Sequence, residues 1–400
     1  MVGIDHCYNI ADLRRAAKRR LPKGIFEYID RGSEDEVALA HNRAAFDRLK
    51  LKTRVLEDLR DLNTDVELLG DASAIPLAIA PTGIAGLCSY EGELALAKAA
   101  ANAGVPFTLA TGSITSMEKI AEQARGRLWF QLYMWQEEAL SYQLVQRAKD
   151  AGFEALVVTV DAALGNNREY NQRNGFSIPF KVSARSIIDM LCHPRWMVSV
   201  LGRYLATSGM PRHENYPARY QHRIAFGSGQ AKPVRQSGMT WADIGRLREF
   251  WPGKFIVKGI LRPEDALLAI EHGADGIVVS NHGGRNLDSS VASIDALPDI
   301  VAAVAGRATV LFDSGIRRGS DIAKALALGA DSVLVGRATL YGVAAGGQRG
   351  AEHALKILRS ELRKTMAYLG CTDVSELTPD IFAKTAPVRR ETIETLPSQE

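Results

Sequence analysis

The chain has 400 residues, of which 46% are hydrophobic and 24% charged, and its formal net charge is +3. This composition is typical of a soluble globular protein and excludes a disordered or fibrous chain. A charge so close to neutrality gives no reason to expect nucleic-acid binding.

The four cysteines are widely scattered and show none of the spacings that bind metals. We therefore expect no metal site and a reducing compartment. No stretch approaches the ~18 uninterrupted apolar residues of a membrane-spanning helix, and no apolar run follows the basic N-terminus. Neither a spanning helix nor a signal peptide is expected, so the protein should stay inside the cell.

Residues 1–75 predict a helical cap over one end of the domain that follows. The apolar periodicity favours three helices, spanning residues 10–21, 22–32 and 33–49. Pro22 suits the start of the second helix, and Ser33 is the expected N-cap of the third.

Eight short apolar runs follow, each leading into a helical pattern. Their side chains are nearly all apolar rather than alternating, as parallel strands buried on both faces require. The runs cover residues 76–81, 106–110, 128–133, 155–161, 255–259, 276–281, 309–315 and 332–337. Eight successive β-then-α units predict an α/β fold, a (β/α)8 TIM barrel over residues 76–385, rather than an open doubly wound sheet. Such a sheet usually carries G-x-G-x-x-G after its first strand, where this chain has PTGIAGL.

The connection between the fourth and fifth predicted strands, about residues 166–257, is far longer than a βα loop and predicts an insertion. Residues 177–235 carry nine Lys or Arg against two Asp or Glu, a local charge of +7 that leaves −4 for the rest. Arginines interspersed with aliphatic residues and Trp196 over about 177–215 suit an amphipathic segment on an anionic membrane surface. The alternative is a lid or subunit-contact loop. A terminal helix is expected over 346–370, and a loose tail over 386–400.

Polar side chains occur where each predicted strand ends, which is the rim that carries the active site in TIM barrels. Polar residues occur at the ends of most strands, where the chain meets solvent. For Thr159 or Gln131 taken alone, solvent exposure is a better explanation than a functional site. A His, an Asp, a Lys and two or more Arg at one rim are harder to attribute to solvation. The most specific segment is SNHGGRNLD at 280–288, which places His282 just beyond a buried strand, before two glycines and Arg285.

This segment, in this barrel position, resembles the FMN-dependent 2-hydroxy-acid dehydrogenase and oxidase family. The similarity is collinear over nearly the whole chain. It is carried by LPKGIFEYIDRGSEDE at 21–36, APTG at 80–83, WFQLY at 129–133, TVD at 159–161, VKG at 257–259 and DSGIRRGSDIAKALALGADSVLVGR at 313–337. The resemblance implies an enzyme that binds FMN and oxidises a 2-hydroxy acid to a 2-keto acid.

The resemblance also implies catalytic roles. His282 would take the substrate's proton as the base, and Asp161 would orient and stabilise the imidazolium that forms. The α-hydrogen could leave as a hydride or as a proton, and the sequence leaves both open. The substrate carboxylate would meet Tyr28, Tyr133, Arg168 and Arg285. Without the resemblance, an exposed loop charge is the better interpretation of Arg168.

For the cofactor, the resemblance implies a set of contacts from every part of the rim. Lys258 would stabilise negative charge near N1 of the flavin, although a lysine there could equally be a Schiff-base residue or a rim charge. The phosphate would lie at Gly315, Arg317, Gly336 and Arg337, where barrels commonly bind phosphate; the alternative is a helix start with solvated arginines. The remaining FMN contacts would be Pro81, Thr82, Gly83, Ala110, Gln131, Thr159, Ser280, Gly283 and Asp313.

Departures from the family pattern predict the substrate and the electron acceptor. Gly112 stands where short-chain oxidases of the family carry a tryptophan, so we expect an aromatic substrate such as mandelate. The segments at 192–196 and 336–342 are most similar to those of mandelate-oxidising members. Gly83 stands where the oxidases tend to have alanine, which favours a dehydrogenase with slow oxygen reactivity. We expect such an enzyme to pass its electrons to a membrane quinone.

Several alternatives to this function remain open. The nearest is a soluble oxidase of the lactate, glycolate or hydroxymandelate type that produces hydrogen peroxide. A flavin-free Schiff-base lyase and a catalytically idle membrane-binding protein are others. The resemblance implies a homotetramer. The insertion implies a peripheral protein on the cytoplasmic side of the inner membrane, or a cytoplasmic one if the insertion is only a lid.

Overall fold

The computed structural model describes residues 3–162, 164–176, 183–221, 223 and 236–383. Its centre is a closed barrel of eight parallel strands, in which the last strand pairs with the first. After a two-stranded hairpin, β1 (Val66–Leu68) and β2 (Asp71–Ser73), the barrel strands are β3 (Leu77–Ile79), β4 (Phe107–Ala110), β5 (Leu128–Leu132), β6 (Ala155–Thr159), β7 (Lys254–Ile260), β8 (Gly276–Val279), β9 (Thr309–Phe312) and β10 (Ser332–Val335). The predicted TIM barrel is confirmed, and each strand lies inside or within one residue of its predicted run.

Burial on both faces explains why the strands lack alternation. One face of the strands fills the barrel interior with side chains such as Trp129, Val157 and Leu334, and the other face packs against the surrounding helices. These helices are α4 (Gly92–Ala103), α5 (Met117–Ala124), α6 (Glu138–Asp150), α11 (Trp241–Phe250), α12 (Pro263–Glu271), α13 (Ser293–Val304), α14 (Gly319–Ala327) and α15 (Arg337–Leu369). Apolar burial of this extent is the main stabilising contribution to such a fold.

The N-terminal segment begins with the three predicted helices, α1 (Ile10–Arg20), α2 (Lys23–Asp30) and α3 (Val37–Arg48). Ser33 is not the N-cap of α3. The cap residue is Glu36, whose φ of 65° is left-handed, while Ser33 donates its backbone N–H to the Gly284 carbonyl at 3.0 Å. The chain must turn sharply here to meet the β8 loop, and this turn shortens the helix.

Residues 49–75 differ from the predicted helical cap, because their regular part is the β1–β2 hairpin. Leu68 and Leu69 of this hairpin belong to the same buried cluster as the side chains inside the barrel. Arg127 fixes the hairpin by donating to the Leu68 carbonyl at 3.0 Å. The hairpin therefore covers the end of the barrel at which the strands begin.

The connection from β6 to β7 contains the predicted insertion. Its described helices are α7 (Glu169–Asn174), α8 (Ala184–Leu191), α9 (Pro194–Trp196) and α10 (Arg203–Thr207), with a π-helical turn at Met197–Gly202. Trp196 and Tyr204 are buried and fasten this segment to the β3–α4 loop: Trp196 Nε1 donates to the Leu87 carbonyl at 2.7 Å, and the Tyr204 hydroxyl accepts from Glu91 N–H at 3.0 Å. Residues 177–182, 222 and 224–235 of the predicted basic insertion lie outside the described residues.

The C-terminal helix α15 starts earlier than predicted, at the end of β10, and is interrupted by the non-helical residues Gly346 and Gly347. The part after this break matches the helix predicted from residue 346. The tail predicted over 386–400 lies outside the described residues.

Candidate active site

The ends of β6 and β8 bring His282 and Asp161 together. His282 adopts a left-handed φ of 58°, and Gly283 and Gly284 follow at 68° and 70°; such a turn is costly for residues with a β-carbon and suits glycine. His282 Nδ1 donates to Asp161 Oδ1 at 2.9 Å. The proton on Nδ1 leaves a lone pair on Nε2, which accepts from the Tyr133 hydroxyl at 3.3 Å. This is the tautomer that a general base requires.

The electrostatics of the pair favour a neutral imidazole beside a carboxylate. Burial lowers the pKa of His282 below its ordinary 6.5, outweighing the Asp161 carboxylate, which raises it. Burial raises the pKa of Asp161, but His282 and Lys258 lower it by more, so the net shift of this pKa is downward. His282 is therefore free to accept a proton at neutral pH, and Asp161 stabilises the charge that results.

The cap helix α3 holds the turn that carries His282. Asn42 of α3 and Asn281 exchange two amide hydrogen bonds of 2.9 Å, and both side chains are buried. The Asn281 amide also donates to the Val291 carbonyl at 3.0 Å and accepts from Gly284 N–H at 3.2 Å. Because these bonds join the residues on both sides of His282, they restrict the backbone from which its imidazole projects.

Two arginines line the same cavity as His282. The guanidinium groups of Arg168 and Arg285 lie 5.4 and 5.2 Å from the centre of the Tyr28 ring. Arg285 donates to the carbonyls of Tyr28 and Arg31, whereas the buried Arg168 Nε has no partner among the described residues. Burial and the nearby Arg168 lower the pKa of Arg285. An anionic ligand would offset the repulsion between the two cations, as a carboxylate bound by guanidinium groups does.

A buried ion pair closes the floor of the cavity. Lys258 Nζ lies 2.9 Å from Asp313 Oδ2 and donates to the Ser280 hydroxyl at 2.8 Å. Burial lowers the pKa of Lys258, but the Asp313 and Asp161 carboxylates raise it more, so the ammonium is retained. A Schiff-base lysine requires a neutral amine, and this environment opposes one.

These groups surround a cavity of about 420 Å³ at the rim where the strands end. Eighteen of the twenty predicted site residues line it; the exceptions are Asp161 and Ser280, which contact lining residues from behind. Ser280 uses its hydroxyl to accept from Lys258 and from His282 N–H. The predicted residues that line the cavity are Tyr28, Pro81, Thr82, Gly83, Ala110, Gln131, Tyr133, Thr159, Arg168, Lys258, His282, Gly283, Arg285, Asp313, Gly315, Arg317, Gly336 and Arg337.

Two unpaired polar atoms indicate where a flat heteroaromatic ring would bind. Gln131 Nε2 and Thr159 Oγ1 are buried without a partner in the described chain, although both residues line the cavity. A buried donor without a partner costs roughly 1–3 kcal/mol, so such atoms usually mark a ligand position. The edge of an isoalloxazine carries the donors and acceptors that would satisfy them, and Lys258 adds a positive charge beside the same edge.

The far end of the cavity suits a phosphate. Gly315 and Arg317 precede α14, whose first N–H groups already donate to the Asp321 and Glu361 carboxylates. Gly336 and Arg337 lie at the start of α15, and the N-terminus of a helix favours an anion. Burial and the neighbouring Arg285 lower the pKa of Arg337 to about 9. This end is therefore rich in positive charge that an anion would offset.

The sequence reasoning missed the wall that the insertion contributes. His213, Tyr216, Tyr220 and Arg223 line the cavity on the side of Gly112. The sequence predicts this segment as a basic amphipathic insertion or, alternatively, as a lid or subunit-contact loop. It identifies none of these four residues, because their order along the chain gives no sign of which part of the barrel they contact.

The fold and the site together define a barrel oxidoreductase with a flavin-binding rim. A family model described as FMN-dependent dehydrogenase matches residues 17–384. The chain is 40% identical to (S)-mandelate dehydrogenase of Pseudomonas putida over 386 residues, which is 95% of this chain and 96% of that protein. It is also 40% identical to L-lactate dehydrogenase of Xanthomonas euvesicatoria over 385 residues, 96% of this chain and 98% of that one.

Solved structures agree with this assignment. The crystal structure of the monotopic membrane protein (S)-mandelate dehydrogenase superposes with a TM-score of 0.86 at 40% identity, covering 94% of this chain and 99% of that one. A mandelate oxidase with (S)-2-phenylpropionate gives a TM-score of 0.78 at 39% identity, covering 92% and 96%. The chain belongs to the FMN-dependent dehydrogenase family, and it is an FMN-dependent oxidoreductase that acts on 2-hydroxy acids.

Proposed function

We propose that the protein oxidises an (S)-2-hydroxy acid with an aromatic side chain, of the mandelate type, to the 2-keto acid and passes the electrons to a membrane quinone. The observation that carries the reaction is the His282–Asp161 hydrogen bond, at a cavity that His282 lines together with Arg168 and Arg285. When bound, FMN supplies the two-electron acceptor for the carbon that is oxidised.

The protein's own residues divide the remaining work. Arg285 and Arg168 bind and orient the substrate carboxylate, which places the neighbouring hydroxyl near His282. Nε2 then takes the hydroxyl proton, the α-hydrogen would leave with the electron pair of its C–H bond to the flavin, and Asp161 stabilises the imidazolium that forms. The Tyr133 hydroxyl, already hydrogen-bonded to Nε2, is placed to contact the same oxygen.

Gly112 supports an aromatic substrate over lactate, although relatives that act on each are equally similar to the chain. A β-carbon built on Gly112 would meet nothing within 4 Å, so the glycine leaves open space in the cavity wall. The test is anaerobic flavin bleaching by glycolate, (S)-lactate and (S)-mandelate. We expect the highest kcat/KM for mandelate and a selective loss of mandelate oxidation in Gly112→Trp. A higher kcat/KM for glycolate than for mandelate would refute the substrate class.

The oxidase alternative is separated by the product of aerobic turnover. A dehydrogenase reduces a quinone analogue rapidly and forms little hydrogen peroxide, whereas an oxidase forms one peroxide for each keto acid. Stoichiometric peroxide would refute the proposed acceptor. A colourless preparation would instead support the lyase or the idle membrane-binding protein.

The described insertion supports attachment to a membrane surface. Its buried side holds Trp196, Val200 and Tyr204, while its other side exposes large apolar side chains. These are Ile187, Ile188, Leu191, Val198 and Leu205, which are 43–74% exposed. Among the described residues, no helix is both long and apolar enough to cross a membrane. An apolar face flanked by arginines suits binding in the plane of an anionic leaflet, here the cytoplasmic side of the inner membrane.

The membrane proposal is tested by sedimentation with anionic phospholipid vesicles. The double variant Ile188→Glu/Leu191→Glu should lose vesicle binding and retain flavin, because both side chains point away from the barrel. Leu56→Glu changes a fully exposed leucine between α3 and the hairpin; it is the control and should still bind. Unchanged binding of the double variant would contradict the proposal. The homotetramer is also a proposal, and light scattering of the purified protein tests it.

A further inference from the structure

The second half of the insertion contributes a stacked pair of rings to the cavity. His213 and Tyr216 have ring centroids 4.5 Å apart and an interplanar angle of 17°. Both residues line the cavity, and Tyr216 packs edge-on against the buried Trp135 at 5.5 Å. The two rings thus form a flat aromatic surface backed by a third ring.

This surface is rigidly attached to the barrel loop that carries Gly112. His213 Nδ1 donates to the Gly112 carbonyl at 3.2 Å. Asn215, which is fully buried, accepts from Met117 N–H at 3.0 Å and donates to the Thr115 carbonyl at 3.2 Å. Two anchored points on either side of a short turn hold the rings in one orientation, so the wall exists before any ligand binds.

The order of groups around the rim shows which part of the substrate this wall would meet. The guanidinium groups come from the β6 and β8 loops and cover Tyr28 of the cap, whereas Gly112 follows β4. His282 links the two sides through Tyr133, whose backbone N–H bonds the Thr111 hydroxyl next to Gly112. A 2-hydroxy acid with its carboxylate at the cations and its hydroxyl at His282 therefore directs its side chain towards Gly112.

We propose that His213 and Tyr216 form the side-chain pocket of the enzyme and select a flat aromatic ring on the substrate. The open space at Gly112 gives the ring room, and the stacked pair provides a planar partner for it. Offset or edge-to-face contacts between such rings add to the apolar burial that any side chain would gain. This inference rests on the proposed function, since it needs a 2-hydroxy acid in the orientation described above.

Paired substitutions at His213 separate the ring from the hydrogen bond. His213→Phe keeps an aromatic ring and loses the donor to Gly112, whereas His213→Gln keeps a donor and loses the ring. The readout is kcat/KM for (S)-mandelate divided by kcat/KM for (S)-lactate. We expect His213→Gln to lower this ratio about tenfold or more, and His213→Phe to leave it within about threefold of the wild type.

The matched control is His272→Gln. His272 also bonds a main-chain carbonyl, that of Leu268 at 2.8 Å, and lies against a ring, Trp241, but it is outside the cavity. His272→Gln should leave the mandelate-to-lactate ratio of kcat/KM unchanged. A lower ratio in His213→Phe with a normal ratio in His213→Gln would show that only the hydrogen bond matters and would overturn the inference.

Further measurements distinguish failure of the aromatic-wall inference from failure of the proposed function. Replacing mandelate by hexahydromandelate keeps the carbon skeleton and removes planarity; the wild type should favour mandelate, and His213→Gln should lose that preference. Equal losses for mandelate and lactate, with normal flavin content, would overturn the aromatic wall. Failure of the wild type to bleach with any 2-hydroxy acid would refute the proposed function itself. Tyr216→Leu provides the same test from the second ring.

Discussion

The amide pair between Asn42 and Asn281 gives a prediction that can be worked out from the structure. Asn42→Ala removes both 2.9 Å bonds and leaves a void in a buried site. Asn281 keeps its bonds to Val291 and Gly284. The buried Ser293 N–H, which donates to Asn42 Oδ1 at 3.4 Å, loses that partner. Two net hydrogen bonds at about 1 kcal/mol each, together with a small cavity, give a loss of about 2–4 kcal/mol in unfolding free energy.

The same change should slow catalysis, because Asn281 directly precedes His282. A looser turn misplaces the imidazole, and we expect anaerobic flavin reduction by the substrate to slow by about tenfold or more. The flavin content should stay normal, since the phosphate end of the cavity makes no contact with the Asn42 side chain. Thermal melting of the FMN-loaded protein and stopped-flow bleaching measure the two effects.

Asn102→Ala is the control for this prediction. Asn102 is exposed and donates to Glu352 at 2.7 Å, so its loss should change unfolding free energy by less than about 0.5 kcal/mol. If Asn42→Ala melted and reacted like Asn102→Ala, the amide pair would not hold the catalytic turn, and the reasoning would be refuted.

Three other substitutions test the site. Asp161→Asn should slow substrate oxidation by on the order of 10³-fold. Because the lost carboxylate no longer raises the pKa of His282, the midpoint of the acid limb of the kcat/KM profile should move further below 6.5. A midpoint that rises would contradict this. Lys258→Met leaves the buried Asp313 carboxylate without its cation and should lower the free energy of unfolding, measured by thermal melting, by about 3–5 kcal/mol. Neutralising Asp313 as well should recover part of this loss. Gly315→Ala places a β-carbon 2.8 Å from a backbone oxygen of α3 at a residue whose φ is 91°, so the variant should lose FMN on dialysis. The control is Gly152→Ala, where φ is 77° and a β-carbon would meet nothing within 4 Å; it should lose some stability but no FMN.

The sequence alone predicts the barrel strands and the rim of the site, because a single physical signal marks each of them. The barrel strands are apolar on both faces, so their runs were visible without knowledge of the fold, and polar residues at their ends marked one rim. His282 and Lys258 could be placed there because the carboxyl ends of parallel strands meet at one edge.

Long-range packing accounts for what the sequence could not predict. The β1–β2 hairpin has two strands of three residues each, too short for a periodic signal, and Leu68 and Leu69 become meaningful only inside the barrel. Ser33 has the side chain of an N-cap, but its backbone is bound to Gly284. His213 lies about a hundred residues from Gly112 in the chain, and only the folding of the insertion brings them together.

One connection, between β6 and β7, carries both the exposed apolar face and the aromatic wall, whereas most of the predicted flavin contacts lie on the barrel strands and their short loops. The proposed membrane attachment and the proposed aromatic wall of the substrate pocket therefore lie in a single stretch of chain. On these proposals, recombination that exchanged this stretch between relatives would change membrane attachment and substrate preference together, without disturbing the redox chemistry. Diversification in such a barrel can therefore proceed by whole-segment replacement.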